Sequence, residues 1–509
     1  MARDRWAAHR ALLSIFRQRC RSERGPVVRT SFGALLEARA CRAPGAPALV
    51  WEGGALAAGE LHRAARACAE ALAARGVGPG DRLALAIGNR PALAVALLAG
   101  WRLGATVAPL DLLLGSHDRA AILADLAPRL VLAERDVPGL PAGTGAATEA
   151  GPGRAALRAE DAADPALVLY TSGSTGRPKG AVLSHAALEF ANRSWAGPVM
   201  GLRPDDVVLA ALPLAHALGL NGALLAPLLA GARVVLVDRF SPEAALDAIR
   251  RHRVTVFPGV ATMFHRILDS PALAAADLAS LRLCVSGAAP LAWDLAAAWR
   301  ARTGVRILRG YGMTELFRPI SYLADDPTEI REAVGRPVPG VALRLVDEDG
   351  REVAPGEVGE LWIRTPAAMD GYLGAPAETR EVLQDGWFAT GDLARLTPEG
   401  FVVIVGRKRE RILRGGYSVF PAEVEAVLLA HPAVAEAAVV GVPHAELGEE
   451  VAAFVAFRPE ATCGAAELVA HCRERLAGFK CPRQVTILPA LPRSAAGKIL
   501  KARLAGGPR

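Results

Sequence analysis

Apolar positions recur along this chain in two periods. From residue 31 onward, stretches with apolar residues three and four apart alternate with short unbroken apolar runs. The first pattern predicts helices and the second buried strands. Glu60–Arg75 reads as a helix closed by Gly76, Asp81–Ile87 as a strand, Ala92–Leu103 as a helix and Thr106–Pro109 as a short strand. The alternation returns in Val207–Leu212, Gly222–Ala230, Arg233–Val237, Pro242–Arg251 and Val254–Phe257. Strands alternating with helices predict parallel sheets with helices on both faces.

The pattern changes after Pro337. Ala342–Val346, Gly359–Arg364 and Gly400–Val405 are strand-like runs separated by Gly, Pro and Asp turns, which predicts a small antiparallel, barrel-like subdomain. A dense cationic run, Gly406–Arg411, reads as a linker. Beyond it, Pro421–Leu429 and Ala465–Leu476 are helical, and Ala433–Val442, Val451–Phe457 and Val485–Leu488 are strand-like. The expected architecture is α/β. A large N-terminal domain, 31–406, holds two doubly wound sheets and the barrel-like subdomain. A linker, 407–411, joins it to a small α+β C-terminal domain, 412–509.

One stretch is long enough to span a bilayer. Val207–Ala232 carries no formal charge over 26 residues. Pro213, Pro227, Gly219, Gly222, Gly231, His216 and Asn221 interrupt it, so a buried strand–loop–helix is expected and no transmembrane segment.

Composition narrows the picture. With 52% hydrophobic and 22% charged residues, the 509-residue chain is a packed protein. The net charge of +7 is uneven: residues 1–30 hold eight Arg against Asp4 and Glu23, and the rest is near neutral. No basic stripe with interleaved aromatics appears in the body, so nucleic acid is not an expected partner. In residues 1–30, Trp6, Leu13, Phe16 and Cys20 fall near helical spacing, the pattern of a weak membrane-surface contact. A disordered leader, or a start codon placed too early, is the plainer expectation. Seven scattered cysteines without a Cys-x-x-Cys pair argue against disulfides and structural zinc, and for a reducing, cytoplasmic setting. Only five lysines stand among 54 arginines: Lys179, Lys408, Lys480, Lys498 and Lys501. Ammonium and guanidinium are not interchangeable at a reacting centre, so each is a candidate.

The strongest local signal is Tyr170-Thr-Ser-Gly-Ser-Thr-Gly-Arg-Pro-Lys-Gly180, after the strand Ala166–Tyr170 and before a helix expected from Val182. Thr171, Ser172, Gly173, Ser174, Thr175 and Gly176 offer N–H groups and hydroxyls to a phosphate chain, and Lys179 adds charge. Pro178-Lys179-Gly180 replaces the Gly-Lys-Ser/Thr of a Walker A loop. Further motifs follow in order: Leu212-Pro-Leu-Ala-His216, Ser286-Gly-Ala-Ala-Pro-Leu291, Gly310-Tyr-Gly-Met-Thr-Glu315, Gly386-Trp-Phe-Ala-Thr-Gly-Asp392, Gly406-Arg-Lys-Arg409, Gly415-Gly-Tyr-Ser-Val-Phe-Pro-Ala-Glu-Val-Glu425 and Leu491-Pro-Arg-Ser-Ala-Ala-Gly-Lys498. Over roughly residues 31 to 503 this set resembles the adenylate-forming superfamily, which includes acyl-CoA synthetases, adenylation domains of peptide synthetases and luciferases.

The resemblance implies a two-step reaction. A carboxylate attacks the α-phosphorus of ATP, giving acyl-AMP and pyrophosphate, and CoA then takes the acyl group and releases AMP. It implies that Glu315 binds Mg²⁺ and Thr314 a phosphate, a reasonable set because a hard cation takes oxygens from protein and phosphate together. Tyr311, between Gly310 and Gly312, offers a flat face to adenine, with Gly287, Ala288 and Ala289 as the opposite wall. By the same resemblance Asp392 and Arg407 hold the ribose, and Lys498 neutralises the carboxylate and α-phosphate as they meet. His216 borders the acyl pocket and helps admit the carboxylate. The resemblance also implies a mobile small domain that rotates about Arg409, withdrawing Lys498 and bringing Gly415 and Gly416 to the thiol channel.

Leu218, Gly222, Val260 and Met313 are the expected acyl-pocket lining. No Asp lies in Leu212–Leu220 to hold an α-amine, so a fatty or aryl acid fits better than an amino acid. The Gly415–Pro421 wording is most similar to fatty-acyl-CoA ligases. Arg318 is expected in a surface salt bridge rather than at a substrate carboxylate, Lys408 in the linker and Lys501 at the surface. The alternatives are an adenylating enzyme that loads a carrier-protein thiol and a non-catalytic nucleotide-binding relative. The latter is expected to lack Lys498 or Glu315, and both are present.

Overall fold

The computed structural model describes residues 31–138, 163–172, 178–273, 278–326, 330–415, 417–493 and 499–504. The basic segment 1–30 lies outside them. Two mixed sheets build the large N-terminal domain. One has seven strands in the order Ile307–Leu308, Leu283–Ser286, Val256–Gly259, Val207–Ala210, Arg233–Leu236, Pro47–Trp51 and Gly54–Ala57. All neighbours run parallel except the last pair, a hairpin. The other has six, in the order Gly371–Tyr372, Pro178–Ser184, Pro165–Ser172, Thr106–Pro109, Arg82–Leu85 and Leu130–Leu132. Central strands such as Val207–Ala210 and Leu283–Ser286 are buried at every position, which is why they read as unbroken apolar runs.

Helix Pro91–Arg102 packs on strands Arg82–Leu85 and Thr106–Pro109 of the six-stranded sheet and against helices Phe32–Arg42 and Ala58–Ala74. Ten of its twelve residues are buried. A helix apolar all round has to be enclosed, and this one shares a single core with both sheets and with the antiparallel unit. Gly100 permits the close approach: a Cβ there would meet Val107 Cγ2 at 2.6 Å.

The antiparallel unit pairs Ala342–Val346, Gly359–Arg364, Trp387–Leu396 and Leu383–Gln384, with Val402–Arg407 on the other edge of Trp387–Leu396. A three-stranded sheet, Gly310–Met313, Phe317–Ser321 and Arg336–Pro337, carries the Thr314–Glu315 turn. The small C-terminal domain has its own five-stranded sheet, and its two apolar clusters draw only on residues between Ile412 and Leu504.

Three expectations change. No helix begins at Val182. Pro178–Ser184 is a strand paired antiparallel with Pro165–Ser172, and the helix is His185–Ser194. Ser184 marks its start, accepting from the Ala187 N–H at 3.3 Å. The helix expected at Gly222 begins at Leu218 and winds as a π-helix through Leu225 before Ala226–Ala230. Such wide turns concentrate at functional sites. The helix expected at Glu60 starts at Ala58, with the Glu60 carboxylate accepting from the Ala57 N–H at 2.7 Å. The uncharged stretch Val207–Ala232 is folded into a strand, a π-helix and a short helix. Among the described residues no helix is long and apolar enough to cross a membrane.

Candidate active site

Several motifs meet where parallel strands of the seven-stranded sheet end. Ser286 closes Leu283–Ser286, Leu308 closes Ile307–Leu308, and Leu212–His216 follows Val207–Ala210. Carboxyl ends of parallel strands are where open α/β sheets bind ligands. After Ser286 the chain turns sharply. Gly287 is buried, Ala288 adopts a left-handed φ of +63° that is unusual for a residue with a side chain, and Ala288 and Ala289 face solvent.

Tyr311 and Asp392 belong to different sheets but meet. The Tyr311 hydroxyl donates to Asp392 Oδ2 at 2.5 Å, and Arg407 Nε lies 2.9 Å from Asp392 Oδ1. Asp392 and Arg407 are direct partners across the Trp387–Leu396 and Val402–Arg407 pairing. Burial raises the Asp392 carboxyl above its usual range, opposed by Arg407 and Tyr311. Burial, and then the Asp392 charge, hold Tyr311 well above an ordinary phenol, so it stays a neutral donor.

Glu315 sits in the turn between Gly310–Met313 and Phe317–Ser321. Its Oε1 accepts from the Tyr372 hydroxyl at 2.8 Å, and its carbonyl accepts from the Met369 N–H at 2.8 Å. Lys179 Nζ stands 5.2 Å from the centre of the Tyr372 ring. Thr171 and Lys179 are cross-strand partners, so the hydroxyl-rich segment bridges two antiparallel strands. Gly173, Ser174, Thr175 and Gly176 lie outside the described residues, and Ser172 is described in its backbone only. Tyr372 was not among the expected site residues. Its partner is 57 positions away, and nothing local announces the contact.

Among the described residues, no group of three or more His, Cys, Asp or Glu side chains stands ready to enclose a metal ion. Glu315 is a lone carboxylate with one oxygen occupied by Tyr372. That suits Mg²⁺ arriving on phosphate oxygens, which needs only one or two protein ligands.

His216 is 45% exposed in its side chain, and its Nε2 lies 3.0 Å from Asp111 Oδ2. This contact pulls the Asp111 carboxyl below its usual range. Asp111 is a second residue the sequence did not flag. Leu218 and Gly222 share the π-helix, where a Cβ on Gly222 would meet the Trp195 ring at 3.1 Å. A Cβ on Gly287 would touch Leu218 at 3.3 Å. Val260 follows strand Val256–Gly259 and packs in the same apolar cluster as Leu218, whereas Met313 packs against the larger core.

Arg318 corrects an expectation. It makes no surface salt bridge: it is buried, and Nη1 donates to the Ser286 carbonyl at 2.8 Å. Lys408 pairs with Glu360 at 2.8 Å and Arg411 with Glu348 at 2.8 Å, tying the linker to the antiparallel unit. Lys501 is likewise no free surface lysine, since Nζ lies 2.9 Å from Glu410 and 2.8 Å from Glu425. Lys480 pairs with Glu423 at 2.7 Å. Arg409 occupies a short turn, Lys408–Glu410. Gly415 has φ +56°, which a residue with a Cβ rarely adopts, and its N–H donates to the Leu447 carbonyl at 2.8 Å. Gly416 and Lys498 lie outside the described residues.

The AMP-binding enzyme model matches residues 36–373, and the AMP-binding enzyme C-terminal domain matches residues 423–498. The chain belongs to the AMP-binding enzyme family. It is similar to a feruloyl-CoA synthase from Amycolatopsis sp, at 38% identity over 478 residues, covering 91% of this chain and 96% of the relative. The structure of ATP-bound MatB from Rhodopseudomonas palustris superposes with a TM-score of 0.85 at 33% identity, covering 94% of this chain and 98% of that one. The o-succinylbenzoate CoA synthetase of Bacillus subtilis, in complex with its acyl-adenylate intermediate, superposes with a TM-score of 0.82 at 32% identity, covering 92% and 97%. The chain is thus an AMP-forming acid–CoA ligase: it uses ATP to convert a carboxylic acid to an acyl-adenylate and passes the acyl group to CoA.

Proposed function

We propose that the acid is a fatty or aryl carboxylate, activated between the Ser286–Ala289 turn and the Thr314–Glu315 turn. The nucleotide side of this reading rests on Tyr311, which hydrogen-bonds Asp392, and on Arg407, which pairs with it, so that the adenine-facing strand, the ribose carboxylate and the edge of the linker are joined; the acid side rests on the apolar surroundings of Leu218 and Val260. In this reading Asp392 takes the ribose hydroxyls, with Arg407 beside it. Thr171–Gly176 and Lys179 wrap the phosphates, and Thr314 and Glu315 hold the phosphate and its Mg²⁺. His216, steadied by Asp111, guards the entrance for the carboxylate, and Leu218 and Gly222 meet the hydrocarbon body. Lys498 supplies the charge for the first step.

The linker 407–411 then acts as the hinge between 31–406 and 412–509. Arg409 absorbs the rotation, and Gly415 and Gly416 line the CoA channel. Support comes from the separate cores on either side of the linker. The six described cysteines are all free thiols, which supports a cytoplasmic setting.

The test is acid-dependent pyrophosphate release across fatty and aryl acids, with CoA present or absent. Pyrophosphate and AMP, in place of orthophosphate, are the expected products, with a CoA thioester formed only when CoA is added. Failure of every acid to stimulate release would sink the reading. A finer test is Tyr372→Phe, which frees the Glu315 carboxylate. It is expected to raise the Mg²⁺ needed for half-maximal release by about 10-fold, the scale of one hydrogen bond to a charged group, with an unchanged melting temperature.

A further inference from the structure

Arg318 does not belong in a pocket built for hydrocarbon alone. It is 6% exposed, and among the described residues no carboxylate pairs with it. Its partners are neutral: the Ser286 carbonyl at 2.8 Å, Ser321 Oγ at 3.0 Å and the Leu308 carbonyl at 3.4 Å. The Trp195 ring lies 5.0 Å from the guanidinium carbon. A buried cation without a counter-charge is costly, and burial alone pushes this guanidinium down to about 9.

The surrounding backbone is shaped to accept that side chain. Phe317 adopts φ +56°, rare for a bulky residue, in the turn that leads from Glu315 into the Arg318 strand. Gly310 and Gly287 clear the space. A Cβ on Gly310 would stand 2.3 Å from Arg318 Cζ, and one on Gly287 would stand 3.2 Å from Nη1 and 3.3 Å from Leu218 Cδ1. Trp195 thus lies beside both Arg318 and Gly222, and Gly287 beside both Arg318 and Leu218, which sets Arg318 next to two residues of the expected acyl-pocket lining.

We propose that Arg318 is a specificity residue that binds a second anionic group, a carboxylate, at the far end of the acid being activated. The inference rests on the ligase reading of the same pocket and names its substrate class: a dicarboxylic acid with a hydrocarbon body. Three of the five guanidinium N–H groups are taken by the Ser286, Ser321 and Leu308 acceptors, and the two that remain, one on each terminal nitrogen, are left for such a group. A monocarboxylic acid with the same body makes no such contact, so the pocket favours the diacid.

The test uses the full-length enzyme and matched acid pairs: hexanoate with adipate, octanoate with suberate, and benzoate with terephthalate. Pyrophosphate release and CoA-thioester formation are measured for each. At least one diacid is expected to exceed its partner in kcat/KM by about 100-fold, the scale of a charge-assisted hydrogen bond. Arg318→Met is expected to erase that preference, lowering the diacid rate about 100-fold while leaving the monoacid within a few-fold. Arg318→Lys, which keeps charge without the fork, should fall between. If each monoacid equals or exceeds its diacid, the proposal is overturned and the ligase reading stands. If Arg318→Met lowers both acids alike, Arg318 only braces the strand ends. If that variant does not fold, the wild-type pairs still decide. If no acid of either kind supports release, the ligase reading falls as well.

Discussion

Replacing Lys498 with alanine is expected to lower acid-dependent pyrophosphate release by at least about 100-fold, the loss typical of one preorganised charge or donor at a transition state. The reacting groups are both anions. Without a cation between them, the carboxylate has to approach the α-phosphate against its charge. Thioester formation from supplied acyl-AMP is expected to stay within a few-fold of wild type, because in the proposed cycle Lys498 has left the site when CoA attacks. Equal loss of both half-reactions, followed by pyrophosphate assay and by thioester yield, would refute the rotation of the small domain. Lys498→Arg is expected to restore little, since a broad planar guanidinium does not replace a compact ammonium.

The second large effect is expected at Asp392. Asp392→Ala removes the acceptor of Tyr311 and the ion-pair partner of Arg407. Truncating one partner of a buried charged pair costs about 2–5 kcal/mol. Arg407 remains nearly half exposed and rehydrates, so the lower end applies here. Loss of the ribose hydrogen bonds to this charged acceptor is expected to lower kcat/KM for ATP by about 30-fold. Thioester formation from supplied acyl-AMP should weaken too, because the ribose is common to both steps. This separates Asp392 from Lys498: one variant impairs both half-reactions and the other only the first. A variant that bound ATP normally would remove Asp392 from the nucleotide site.

The sequence made regular elements legible where pattern and punctuation agreed. Ala342–Val346, Gly359–Arg364 and Pro421–Leu429 fold with the expected ends because turn residues or proline bound each of them. Val182 misled because Gly180–Ser184 is as short and apolar as a helix start. What decides its state is pairing with Pro165–Ser172, a tertiary fact. The Thr314–Glu315 and Asp392 motifs could be singled out by chemistry, but their partners could not. Tyr372 and Asp111 reach Glu315 and His216 from 57 and 105 positions away. Arg318 was misplaced for the opposite reason. An arginine is usually at the surface, and only the space left by Gly287 and Gly310 shows why this one is inside.

Helix Pro91–Arg102 has a consequence for how the molecule works. Enclosed in an interior shared by both sheets and the antiparallel unit, it belongs with residues on all three to one solid block. Such a block has no internal plane along which to slide, and its parts should melt together. The small domain keeps its apolar groups to itself. The rearrangement of the proposed cycle would fall at the seam between the two, where breathing exposes little hydrocarbon to water. The large domain is an anvil, and its stiffness is what would let a short, charged linker set where the moving part comes to rest.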